Sequence, residues 1–194
     1  MVHIRIKDLE EYAKINHVPI MLKDGIEFLT DYIKKNNIKS ILEIGTAIGY
    51  SSIKMALVND DIKITTIERD SNMYNEALKN IKAFNLDNRI NVIYSDALDV
   101  ELNDKYDLIF IDAAKSQYIK FFNKFKDNLN TNGVIITDNL SFHGLVEDSS
   151  NCSRNTRQLV NKIKKYIEFL KDNKEYKTEF ISIGDGISIT KKVN

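Results

Sequence analysis

Glu43-Ile-Gly45-Thr-Ala-Ile-Gly49-Tyr-Ser51 decides the fold of this chain. It begins inside an apolar run, Ser40-Ile-Leu-Glu-Ile, that reads as a buried strand, and it leads into residues 50–58, where apolar side chains recur every three or four positions as in a helix. A glycine turn between a buried strand and a helix offers a ligand backbone N–H groups and close approach. Two phosphate-binding patterns are excluded. A dinucleotide fingerprint starting at Gly45 needs glycines where Ala47 and Tyr50 stand, and a Walker A loop needs a closing Gly-Lys-Ser/Thr.

Working outward, the strand–helix alternation continues. Ile62-Lys-Ile-Thr-Thr-Ile-Glu, Ile90-Asn-Val-Ile-Tyr, Tyr106-Asp-Leu-Ile-Phe-Ile and Gly133-Val-Ile-Ile-Thr are short, β-branched and apolar, and so read as strands. Residues 71–84 and 115–128 read as helices with one apolar face, the first with Asp70 and Ser71 as capping chemistry. The pattern predicts an α/β fold on a parallel sheet. Ahead of it, residues 6–15 and 21–35 read as two helices split by Pro19, the sole proline, and are expected to cap one end. Residues 141–155 carry few apolar repeats; a helix follows over 156–171. The chain closes on a hairpin whose strands flank Gly184-Asp-Gly186. The expected organisation is one domain over 1–194, with a helical cap at 1–36 and a Rossmann-like core at 37–194.

Composition narrows the function. With 194 residues, one domain is the default. Lys+Arg 28 against Asp+Glu 28 leaves formal net charge +0, so the whole-molecule basic field of a general nucleic-acid coat is missing, although local patches remain open. The single cysteine, Cys152, excludes a disulfide framework and a cysteine-built zinc site and points to a reducing, cytoplasmic compartment. No apolar run reaches the roughly 18 residues of a membrane span, and Met1-Val-His-Ile-Arg-Ile-Lys-Asp lacks the features of a signal peptide, so no membrane partner is expected.

Acids stand at successive strand ends, the side where open α/β sheets bind ligands. Glu43 precedes the glycine turn, in the form seen where S-adenosyl-L-methionine (AdoMet) binds and no pyrophosphate must be cradled. Glu68 follows Gly45 by roughly 20 residues, where an acid accepts from ribose hydroxyls. Asp96-Ala97 closes the third strand, at the height of an adenine edge. Asp112 and Asp138-Asn139 close the fourth and fifth. Those three residues read either as polar strand termini or as an oxygen-ligand site for Mg²⁺ or a similar cation, since His3, His17 and His143 are scattered. Lys115, three after Asp112, is either a solvated lysine or a group facing the same pocket from the first turn of the next helix. Beside a cation, an ammonium gives up its proton more readily and can serve as a general base.

From about residue 17 to 191 the chain resembles the metal-dependent class I O-methyltransferases of the catechol and caffeoyl-CoA group. The resemblance rests on Val18-Pro-Ile-Met21, Leu42-Glu-Ile-Gly-Thr-Ala-Ile-Gly-Tyr-Ser51, Thr66-Ile-Glu-Arg69, Leu108-Ile-Phe-Ile-Asp-Ala-Ala-Lys115, Val134-Ile-Ile-Thr-Asp-Asn139 and Gly184-Asp-Gly186. Within the group these motifs look most like the bacterial tRNA 5-hydroxyuridine methyltransferases. The resemblance implies a seven-stranded sheet with its last strand antiparallel. It implies that Met21, Glu43, Gly45, Tyr50, Ser51, Glu68, Arg69, Asp96, Ala97 and Asp112 surround AdoMet. It further implies that Asp112, Asp138 and Asn139 hold the metal, that Lys115 is the catalytic lysine, and that the enzyme is a homodimer. The implied reaction converts the wobble 5-hydroxyuridine of a tRNA anticodon loop to 5-methoxyuridine. Arg154, Arg157, Lys162, Lys164, Lys165, Lys115 and Lys120 are candidates for holding phosphates, or most of them form solvated helix faces. Two other readings stand beside it: a small-molecule catechol-type methyltransferase, and a non-catalytic AdoMet-binding module. The segment ahead of Val18 is shorter than the resemblance leads one to expect, and residues 146–153 lack the expected basic loop.

Overall fold

The computed structural model describes residues 5–148, 150 and 152–193. His3, the first four residues of the segment tested for a signal peptide, and Ser149 and Asn151 of the non-basic stretch lie outside the described residues. Seven strands form one sheet: β1 Ser40–Ile44, β2 Lys63–Glu68, β3 Ile90–Tyr94, β4 Tyr106–Ile111, β5 Leu129–Thr137, β6 Tyr176–Ile181 and β7 Ile187–Lys192, in the order β3-β2-β1-β4-β5-β7-β6. All neighbouring pairs from β3 to β5 are parallel, and β7 runs antiparallel to both β5 and β6. This is the seven-stranded arrangement implied by the resemblance, with the last strand reversed.

The central strands carry apolar residues on consecutive positions because both faces are covered. Ile41, Leu108 and Val134 face one cluster with α1 (Ile6–Ile15), α2 (Lys23–Lys35), α3 (Tyr50–Ala56) and α4 (Ser71–Ala83). Their chain neighbours Leu42, Ile109 and Ile135 face the other, built on α5 (Tyr118–Phe125) and α6 (Arg154–Asp172). Each such fully buried aliphatic side chain contributes about 1.5–3 kcal/mol. Helices α1 and α2, expected as an end cap, lie in the first layer through Leu9, Ala13, Ile26, Leu29 and Ile33. The loop between them reaches over the strand ends.

Boundaries differ from the sequence reading at several elements, these three among them. α2 begins at Lys23 because Leu22 is extended (φ −62°, ψ 151°), which leaves Met21 and Leu22 free of the helix. The helix expected over 115–128 is α5 flanked by two short 3₁₀ turns, Lys115–Gln117 and Lys126–Asn128, since the apolar set Tyr118, Phe121, Phe122 and Phe125 spans only the middle. β5 starts at Leu129, ahead of the expected Gly133, through a polar stretch that is only partly covered. Among the described residues no helix is long and apolar enough to cross a membrane.

Candidate active site

The parallel ladders end in a row of backbone bonds that put the acids side by side. Gly45 N donates to Ile67 O (3.0 Å), Asp112 N to Ile44 O (3.0 Å), Asp138 N to Ile111 O (3.2 Å) and Ser95 N to Glu68 O (3.0 Å). Above them opens a cavity of about 380 Å³, within the range of small-molecule sites. Gly45 forms its floor at φ +99°, where a Cβ would collide with the carbonyl oxygen of Asp112 and lie 3.0 Å from its carbonyl carbon. Only glycine fits between the ends of β1 and β4.

Along the β1–β3 ends, the carboxylate of Glu68 is fixed by backbone donors. One oxygen accepts from Ala47 N (2.9 Å), the other from Arg69 N (2.9 Å) and Asp70 N (2.8 Å). Asp70 caps α4 by accepting from Asn72 N and Met73 N, as its sequence position predicts. Asp96 accepts from Leu98 N (2.9 Å) and pairs with Arg69 at 3.4 Å, an exposed pair of little energetic weight. Tyr50 borders the cavity and donates to Glu10 Oε1 of α1 at 2.9 Å; burial, and then Glu10, hold its hydroxyl well above the ordinary tyrosine range.

At the β4–β5 ends, Lys115 opens its 3₁₀ turn, donates from Nζ to Asn139 Oδ1 at 2.7 Å and stands 5.6 Å from the centre of the Phe142 ring. Asp112 keeps some exposure, but as a cavity-lining group; desolvation raises its carboxyl, Lys115 opposes that rise and Asp185 adds to it. Asp138 is buried, and desolvation followed by the charge of Asp112 raises it. Its Oδ1 is buried without a hydrogen-bond partner, a costly condition for a polar atom.

Met21, Gly45, Tyr50, Ser51, Glu68, Arg69, Asp96, Ala97, Asp112, Lys115 and Asn139 all line this one cavity. Two expected residues do not. Glu43 is fully buried behind the wall, where Ser51, Ser52 and Thr66 donate hydroxyls to it; it holds the first turn of α3 rather than facing a ligand. Asp138 likewise sits under the cavity, with Oδ2 accepting from Asn139. The sequence reading missed Asp185, His143, Phe121 and the loop residues Pro19, Ile20 and Leu22, which also line the cavity. Asp185 was hidden inside Gly184-Asp-Gly186, read only as a turn. The signal was available: β6 runs with the parallel strands, so the hairpin tip must arrive at their ligand-binding end. Among the described residues no three histidine, cysteine, aspartate or glutamate side chains are gathered ready to hold a metal.

A family profile described as O-methyltransferase matches residues 2–193. The chain belongs to that O-methyltransferase family. It is 32% identical over 197 residues to a caffeoyl-CoA O-methyltransferase-like protein of Arabidopsis thaliana, covering 98% of this chain and 84% of the relative. A caffeoyl-CoA O-methyltransferase of Populus kitakamiensis is 28% identical, with 98% and 87% covered. Among solved structures, a caffeoyl-CoA O-methyltransferase-like protein of Staphylococcus aureus superposes with a TM-score of 0.93 at 43% identity, covering 98% of this chain and 93% of that one. An O-methyltransferase of Bacillus cereus in complex with SAH shares the fold with a TM-score of 0.81 at 23% identity, over 97% and 90% of the two chains.

Proposed function

We propose that this O-methyltransferase uses AdoMet and a divalent cation such as Mg²⁺ to methylate a hydroxyl that has a second oxygen beside it. Its substrate on this reading is the wobble 5-hydroxyuridine of tRNA, whose O5 and O4 form such a pair. The reading is carried by one observation: the glycine turn, Glu68 and Asp96 share a single cavity with Asp112, Asn139 and Lys115.

Strand order supplies the layout. The ends of β3, β2 and β1 offer Asp96, Glu68 and Gly45 to an adenosine-like ligand, and the ends of β4 and β5 carry the acids and the lysine. When bound, AdoMet supplies an electrophilic methyl, and the cation supplies charge that lowers the pKa of a hydroxyl it chelates. Asp112, Asp138 and Asn139 are the residues that would hold the cation. They fit that task because Asp138 Oδ1 is a buried acceptor without a donor, and because Asp112, Asp138 and Asp185 press on one another with Lys115 as the nearby compensating charge. Lys115, its Nζ held by Asn139 Oδ1, would take the hydroxyl proton as a neutral amine or stabilise the oxyanion left behind as an ammonium. Tyr118, donating to the Asp138 carbonyl at 3.0 Å, and the Tyr166–Thr137 hydroxyl pair keep the β5 end rigid. That rigidity supports an in-line orientation, from which much of the rate comes.

The tRNA substrate is supported by the motif resemblance and by α6, which packs against the Lys115–Gln117 turn and carries Arg154 and Arg157 exposed in its first turn. Arg157 already donates to Ser150 O and Cys152 O, so part of its guanidinium is spent on the loop. A small-molecule catechol-type substrate is the second reading, favoured by the caffeoyl-CoA O-methyltransferase relatives. A homodimer, implied by the resemblance, is part of the proposal and is testable by sedimentation.

The deciding experiment incubates the protein with AdoMet, Mg²⁺ and tRNA from cells lacking the activity, with and without chelator, and looks for 5-methoxyuridine by mass spectrometry. Product only with metal supports both substrate and cation. Methylated catechol without methylated tRNA moves the substrate to the second reading. AdoMet binding without turnover of either refutes the enzymatic reading.

A further inference from the structure

The side chain of Asn139 is caught between two acids and a lysine. Its Nδ2 lies 3.2 Å from Asp138 Oδ2 and 3.4 Å from Asp185 Oδ2, while its Oδ1 accepts from Lys115 Nζ at 2.7 Å. An amide carries donors at one corner and an acceptor at the other, with nearly the same shape. Only the neighbours decide which corner faces the lysine. Ionised carboxylates accept and cannot donate, so each one beside Nδ2 favours the rotamer with oxygen turned toward Lys115. Asp138 is the adjacent residue in the chain, so its contact with Nδ2 is local and ties Asn139 to nothing beyond the end of β5.

Asp185 comes from the other side of the sequence and is itself buried, 4% exposed. Its Oδ1 accepts from the backbone N of His143, and its carbonyl accepts from Ser141 N at 2.7 Å. One residue thus holds both the amide of Asn139 and the backbone that follows it. That backbone needs holding: Asn139, Phe142 and His143 all sit at positive φ (62°, 50° and 57°), a costly region for residues with a Cβ. The hairpin tip is in turn seated on α2, where Gly184 N donates to Asp24 Oδ2 at 3.2 Å and a Cβ on Gly184 would lie 3.2 Å from Gly25 Cα. The clamp has a fixed base.

We propose that Asp185 is a positioning residue that sets the side-chain orientation of Asn139, keeping the amide oxygen turned toward Lys115 and the reacting end of the cavity. The inference rests on the reading in which Asn139 presents that oxygen to a cation. Partners that orient a metal ligand typically change metal affinity by about 10–100-fold when removed.

The test compares wild type, Asp185→Asn and the swap Asn139→Asp/Asp185→Asn, each first checked for AdoMet binding within about twofold of wild type by calorimetry as evidence of an intact fold. Mn²⁺ alone, titrated by electron paramagnetic resonance, should bind Asp185→Asn at least about tenfold more weakly. The swap should recover most of that loss, because a carboxylate at 139 has no wrong face. A metal-free readout runs in parallel. The side-chain NH₂ pair of Asn139, assigned by its disappearance in Asn139→Asp, should exchange slowly with solvent in wild type and rapidly in Asp185→Asn. Unchanged NH₂ exchange, or a swap no better than the single variant, overturns the proposal. If wild type binds no Mn²⁺ while the NH₂ signals respond as expected, the cation reading fails and the role of Asp185 stands. Should Asp185→Asn not fold, Asp185→Ser is read by the same two measurements.

Discussion

Replacing Glu43 by glutamine should remove a pH dependence of stability that the wild-type protein carries. Glu43 is fully buried, and burial pushes its carboxyl from 4.5 up to about 7, against the pull of the Ser51, Ser52 and Thr66 hydroxyls that donate to it. Between those two values the folded protein keeps a proton that the unfolded chain has released. The resulting stabilisation is fully present below pH 4.5 and is lost as pH rises through 7. At somewhat more than 1 kcal/mol per unit, the loss between pH 5 and pH 8 is about 2–3 kcal/mol. Asp112 and Asp138 are raised as well and add a slope of the same sign, so the wild-type slope alone is not diagnostic. The difference between wild type and Glu43→Gln is, because the other two groups are common to both. Urea unfolding at pH 5, 6, 7 and 8 in chelator, followed by circular dichroism, should give a wild-type-minus-variant difference that falls by about 2–3 kcal/mol across the range. Parallel curves, within about 0.5 kcal/mol, would show that the three hydroxyls keep Glu43 ionised throughout and would refute the reasoning.

Three further outcomes are expected. Lys115→Met should lower methyl transfer by about 10²–10⁴-fold at saturating substrate while AdoMet affinity changes less than about threefold, measured by labelled methyl transfer and calorimetry; equal losses in both would make Lys115 a binding residue. Gly45→Ala, forced to φ +99° and against the Asp112 carbonyl, should cost more than about 3 kcal/mol and abolish AdoMet binding; an unchanged melting curve would mean the β1–β4 approach is looser than described. Tyr50→Phe deletes the bond to Glu10 and should cost about 1 kcal/mol while speeding proteolysis within α1; unchanged cleavage would show that this bond does not hold α1.

The core of the fold was legible because buried parallel strands are apolar on consecutive residues in short β-branched runs, as in Ile41-Leu42 and Leu108-Ile109. Ends were harder to read. Asn130-Thr-Asn132 belongs to β5 but is only partly covered, so hydrophobicity carried no trace of it. Residues 115–117 and 126–128 sit outside the apolar stripe of α5 and turn more tightly than a helix. In the site, residues one step past a strand were placed by that position alone. Glu43 shares their sequence motif, yet its side chain emerges on the buried side of the glycine turn. The Asn139–Asp185 contact joins positions 46 residues apart, and a hairpin tip gives no sign of what it will rest against.

The place of β7 in the sheet has a consequence for biosynthesis. β6 is made before β7 but lies outside it, bonded to the rest of the sheet only through β7. A growing chain that has emerged as far as residue 181 therefore exposes the bare edge of β5, and β6 has nowhere to dock. The tip that carries Asp185 is seated only when residues 187–192 slide between the two strands. Until then the nascent protein owns a complete glycine turn and Glu68 but an unclamped Asn139. The ability to hold a methyl donor should thus precede, on the ribosome, the ability to use it.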